Sequence, residues 1–135
     1  MEIKLTPQES EEIFYAALCN AVGTGYMDGY GLELACDRSQ YKSSRDHLYH
    51  VKPMPEHSVC YEDILMQVLR DGGELTFIDH EGGGDMTRSI TMADVHERVK
   101  HAGAQVLVNF HEEQDDAGDA DAVLQTVFFE EIIFG

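Results

Sequence analysis

The sequence predicts a single α+β domain, with about four helices packed on a small, mainly antiparallel sheet that includes a β-hairpin over 74–91. Three observations carry this expectation. Apolar residues recur at helical spacing in some segments and alternate in others. Glycine clusters punctuate the chain between those segments. A length of 135 residues, 43% hydrophobic and 26% charged, suits one domain with its own core, and no internal repeat or interdomain linker interrupts it.

Each element has its own justification. Thr6-Pro7-Gln8-Glu9 is a helix start, with Thr6 as cap, Pro7 where its missing N–H costs nothing, and Glu9 able to bond back to Thr6. Ile13, Phe14, Ala17, Leu18 and Ala21 then mark one face and Gly23 is the stop, giving a helix over 7–22. Tyr30, Leu32, Leu34 and Cys36 alternate with polar or small residues and predict a strand over 30–36. Residues 37–57 read as a long excursion with one helical piece around 39–49, made irregular by Pro53 and Pro55.

After Ser58, Tyr61, Ile64, Leu65, Val68 and Leu69 predict a helix that Gly72-Gly73 terminates. Strands 74–79 and 86–91 flank a polar, glycine-rich tip and form the hairpin. Thr91-Met92-Ala93-Asp94 starts another helix, with Met92, Val95 and Val99 as its stripe. Residues 104–111 fit either a strand or a helix, the helix being preferred. Ala120, Val123, Leu124, Val127 and Phe128 predict a last helix over 119–128, and 129–134 either continue it or turn into a strand. The expected core is Phe14, Leu18, Leu32, Leu34, Ile64, Leu65, Val68, Phe77, Ile90, Val95, Val99, Val123, Leu124, Val127 and Phe128.

Charge sign is where the composition departs from the average. Asp and Glu number 26 against 9 Lys and Arg, a net charge of −17. A surface that tracks phosphates needs cations in excess, so nucleic acid and anionic lipid are poor partners. No Lys or Arg follows Lys100, while Glu112, Glu113, Asp115, Asp116, Asp119 and Asp121 crowd one stretch. Such a cluster attracts a basic protein surface and speeds encounter at low salt; it serves equally as a solvated face at a helix start. Cys19, Cys36 and Cys60 are too far apart for a disulfide framework or a zinc site, which points to a reducing compartment. With no signal-peptide pattern and no long apolar run, a cytoplasmic protein is expected, without membrane attachment.

The 37–57 excursion gathers basic and aromatic residues on an otherwise acidic chain. Arg38, Tyr41, Lys42, Arg45, His47 and His50 form a possible ligand patch, where bases stack on tyrosine and phosphates meet arginine. A nucleotide signal is one candidate ligand; neutralisation by the acidic face of a second subunit, giving a homo-oligomer, is another. His47, His50 and His57 with Asp46 make a conceivable metal-ligand set, and so a metal-dependent enzyme is a third reading. Against it, no His-Glu-x-x-His occurs, and His96 and His101 diverge around a helix. The acidic hairpin tip Asp79-His80-Glu81 to Asp85 lacks calcium-loop spacing. Gly82-Gly83-Gly84 lacks the lysine and the strand-to-helix setting of a phosphate loop. Ser58, Cys60 and His57 show no strained elbow or oxyanion hole. No cofactor and no catalytic residue is therefore expected.

In order along the chain, several segments resemble a family of small acidic proteins of unknown function encoded by bacteriophages and related mobile elements. The likeness runs through Tyr30-Gly31-Leu32, Asp71-Gly72-Gly73, Leu75-Thr76-Phe77-Ile78-Asp79 and Ser89-Ile90-Thr91. It closes on the segment from Asp119-Ala120-Asp121 through Gln125 to Glu130-Glu131-Ile132-Ile133-Phe134-Gly135, and leaves out 37–57. The resemblance implies a compact α+β fold and a phage-type origin, with the cytosol of a host cell as location, and it carries over no catalytic residue. It also implies a functional class: a non-enzymatic binding protein that engages a basic host protein through its acidic face, as a counter-defence inhibitor.

Overall fold

The computed structural model describes residues 3–24, 30–51, 59–81 and 83–134, without the side chains of 22–24 and 51. The elements run α1 (Pro7–Thr24), β1 (Leu32–Ala35), α2 (Arg38–Val51), α3 (Tyr61–Arg70), β2 (Leu75–Asp79), β3 (Arg88–Ile90), α4 (Met92–Arg98), a 3-10 turn (Val99–His101), α5 (Ala104–His111) and α6 (Ala117–Phe129). The α+β class is as expected, but six α-helices rather than about four occur among the described residues. The surplus comes from α2, a full helix instead of a short piece in an irregular excursion, and from α5, where the preferred helical reading of 104–111 holds.

The ends of the helices follow from local chemistry. Thr6 and Glu9 close the expected reciprocal cap on α1, the Glu9 N–H donating to Thr6 Oγ1 at 3.1 Å and the Thr6 N–H to Glu9 Oε1 at 2.9 Å. Asp37 accepts from the Gln40 N–H at 2.9 Å and starts α2. On α3, Gly72 takes a φ of 89°, and the Gly73 N–H returns to the Val68 carbonyl at 2.8 Å, ending the helix. Gly73 has a second duty: a Cβ there would sit 2.8 Å from Gln40 Cγ and 2.9 Å from Val68 Cγ1, so α2 closes onto this turn. α6 ends at Phe129 with Glu130 left-handed, and residues 130–134 neither continue the helix nor pair as a strand.

The sheet is a three-stranded antiparallel meander in the order β1-β2-β3. Leu34 faces Phe77, and Leu75 faces Ile90, so the hairpin is paired as expected. β2 alternates buried Leu75, Phe77 and Asp79 with half-buried Thr76 and Ile78, one face inward and one outward. Helix α6 lies against α1 and the inner face of the sheet. Phe128 couples them, its ring 4.2 Å from Phe77 and 6.5 Å from Phe14 between centroids. The expected core residues are buried in this one cluster with two exceptions: Ile64 is buried outside it, and Leu34 is half-buried and packs against it. No helix among the described residues is long and apolar enough to cross a membrane.

Candidate functional site

The acidic stretch forms the connection from α5 to α6, and its backbone is tied down residue by residue. The Glu112 N–H donates to the Val108 carbonyl at 2.9 Å, Glu113 to Phe110 at 3.2 Å, and Gln114 to Asn109 at 2.8 Å. Glu113 is held in the left-handed region at φ 58°, uncommon for a side chain of its kind. Asp116 then caps α6. Its Oδ1 accepts from the Asp119 N–H at 2.8 Å, while Asp119 Oδ2 accepts from the Asp116 N–H and from Asn109 Nδ2, each at 3.1 Å. Asp115 accepts from Asn20 Nδ2 of α1 at 3.5 Å.

These six carboxylates do not share one role. Glu112, Glu113 and Asp116 face solvent, while Asp115 and Asp119 are half-buried. Asp121 leaves the face altogether, at 8% exposure. It lies on a helix buried on nearly every side, one turn before Gln125, whose Nε2 donates to both its oxygens at 3.0 and 2.9 Å; the Tyr30 hydroxyl donates at 3.4 Å. Burial pushes the Asp121 carboxyl above the usual range, against the opposing effect of those two donors. As a member of the expected partner-binding set, Asp121 is corrected to an internal tie.

Gln125 is the residue that sequence reasoning missed. It is fully buried, its Nε2 also donates to the Phe134 carbonyl at 3.0 Å, and its Oε1 accepts from the N–H groups of Ile133 and Phe134 at 2.7 and 2.8 Å. One amide thus docks the chain after α6, and Phe134 stacks on Tyr30 at 4.8 Å.

The proposed ligand patch falls on α2. Arg38, Lys42 and Arg45 stand at i, i+4 and i+7 and share a face, with Tyr41 beside it. The Tyr41 ring already meets Tyr61 at 5.9 Å, and Arg45 pairs with Asp46 at 3.5 Å in solvent, an exposed pair that adds little stability. His47 points the other way, to α3. Its Nδ1 lies 2.8 Å from Asp71 Oδ1, the same carboxylate that accepts from Ser44 Oγ and Gln67 Nε2, each at 2.8 Å. Gln40 Nε2 donates to Ser44 Oγ at 2.9 Å and extends the chain of bonds. Burial works against ionisation of Asp71, and the combined donors outweigh it, so its carboxyl sits below the usual range.

That cluster resembles a carboxylate–imidazole pair, yet Ser44 donates to the carboxylate and not to the ring, so it assembles no nucleophile and base. Of the metal-ligand set, His47 gives one nitrogen to Asp71, and His57 lies outside the described residues. Among the described residues no group of three or more His, Cys, Asp or Glu is placed to hold a metal ion. At the hairpin tip, Asp79 is 7% exposed and binds the loop's own backbone, accepting from the N–H groups of Glu81 and Met86 at 3.1 Å each. Burial raises the thiols of Cys19 and Cys60, so at neutral pH they are protonated and poorly nucleophilic.

No family model matches this chain, and no curated protein or solved structure is found similar to it.

Proposed function

We propose that the protein is a non-enzymatic binding protein that engages a basic surface of another protein through the α5–α6 connection. The observation that carries the reading is the fixed acidic turn. Glu112, Glu113, Asp115 and Asp116 sit in five consecutive positions with a backbone bonded at nearly every step and no Lys or Arg after Lys100. A pre-ordered charged surface loses less conformational freedom on binding than a mobile one, and its field accelerates encounter with a cationic partner. Asp119 supports the turn through the cap. The resemblance to phage-encoded acidic proteins extends this reading to a host defence or nucleic-acid-handling factor as the target.

A second reading belongs to α2. Arg38, Lys42 and Arg45 make a compact cationic stripe on a chain of net charge −17, suited to a small phosphorylated ligand. Calorimetry with a nucleotide panel tests it, and absence of heat with every member removes it. For the principal reading, the triple variant Glu112→Gln, Glu113→Gln, Asp115→Asn leaves both capping aspartates in place. Used as bait in lysate from a host cell, it should lose whatever the unsubstituted protein retains at low salt. A retained protein indifferent to salt and to these substitutions would overturn the reading.

A further inference from the structure

Between α1 and α5 lies an open cleft of about 710 Å3. Two matching helical stripes make most of its walls, with Ile3 and Leu5 of the segment before α1 also lining it. On α1, Glu9, Glu12, Ile13 and Ala16 stand at i, i+3, i+4 and i+7; on α5, Ala104, Leu107, Val108 and His111 repeat the spacing. Apolar side chains form the floor, and Val108 remains 45% exposed there. The carboxylates of Glu9, Glu12, Glu113 and Asp115 stand around it. A groove between two helices, apolar within and anionic at its margin, matches the shape and charge of a third helix with one apolar face and cationic flanks.

We propose that this cleft receives a cationic amphipathic helix of a partner protein, with large apolar side chains seated on Ile13, Ala16 and Val108 and with Lys or Arg facing the four carboxylates. The proposal rests on the acidic turn as a partner-binding surface, because Glu113 and Asp115 belong to both. Among the described residues, a second copy of this chain supplies no such helix. Its cationic helix, α2, has Leu48 buried in its own fold, and the stripe it shows outward is Arg38, Lys42 and Arg45 without an apolar row. The carboxylate margin likewise repels nucleic acid and anionic membranes.

The test is fluorescence anisotropy with a labelled peptide of about 18 residues, leucines at helical spacing and lysines elsewhere. A peptide of the same composition in scrambled order serves as control. At low salt the patterned peptide should bind, and the scrambled one should bind about tenfold more weakly. Val108→Glu is the decisive variant, since it adds a negative charge while removing an apolar contact at a site open enough to leave the fold intact. Binding should weaken about tenfold. The double variant Glu9→Gln, Glu12→Gln keeps the helix cap and should flatten the salt dependence. Equal binding of both peptides, or unchanged or tighter binding by Val108→Glu, would mean charge attraction alone; the acidic turn would stand and the cleft proposal would fall. No binding of the patterned peptide at low salt would also overturn it. So would a concentration-dependent dimer dispersed by Val108→Glu, which would give the cleft to a second copy. Glu112→Gln, outside the cleft lining, reads the acidic turn separately.

Discussion

Replacing Gln125 with leucine should undo the docking of residues 132–134 while leaving the helical core in place. The side chain is fully buried, so its amide has no water to fall back on. Leucine removes the donor to Asp121, a hydrogen bond to a charged acceptor contributing about 1.5–3 kcal/mol, and two acceptor contacts to backbone N–H groups, about 1 kcal/mol each. Two terms work in the opposite direction: the freed N–H groups regain water as the segment lifts, and leucine adds apolar burial of about 1 kcal/mol. The net loss is about 3 kcal/mol, or roughly 10 °C in Tm for a domain of this size. Urea denaturation gives the stability, and native-state amide exchange gives the local opening. Ile133 and Phe134 amides should exchange faster in the variant by more than the global loss accounts for. Gln125→Leu within about 0.5 kcal/mol of the unsubstituted protein, with those amides still protected, would refute the tie.

Three further outcomes follow from single contacts. Ser10 is fully buried and its hydroxyl has no hydrogen-bond partner among the described residues, so Ser10→Ala should raise stability by about 1 kcal/mol, read as a higher urea midpoint. The Asp121 carboxyl is raised in the folded state, so its contribution is greatest below the ordinary aspartate value and is lost as pH rises through the folded value; Asp121→Asn should remove that slope from a stability–pH series over the acidic range. Gly73→Ala should cost about 1–3 kcal/mol by pressing a methyl into Gln40 and Val68, and should loosen α2 from α3, visible as faster amide exchange along α2.

Periodicity made much of this fold legible. α1, α3 and α6 announce themselves through apolar rows, and their residues Phe14, Leu65 and Phe128 meet in the core as expected. The alternation of Leu75 and Phe77 placed the central strand correctly. α2 was legible only in part because its packing does not rest on an apolar row. Among its described side chains Leu48 is the buried hydrophobic anchor, Tyr41 meets Tyr61 of α3, and much of the remaining seating is polar, through Ser44, His47 and Asp71. Such a network joins residues more than twenty positions apart and leaves no local periodic trace. Asp121 misled for a related reason: beside Asp115, Asp116 and Asp119 it reads as one more surface acid, and only the distant Tyr30 and the fully surrounded α6 turn it inward. The cleft was invisible because its walls come mainly from α1 and α5, each unremarkable alone.

The most direct measurement is a titration of isotopically labelled protein with the patterned cationic peptide, followed amide by amide. The expected perturbations gather on 9–16 of α1 and on 104–115, weaken as salt rises, and vanish with the charge-reversed peptide. Perturbations confined to α2, or none at low salt, would contradict a partner-binding surface at the α5–α6 end of the molecule.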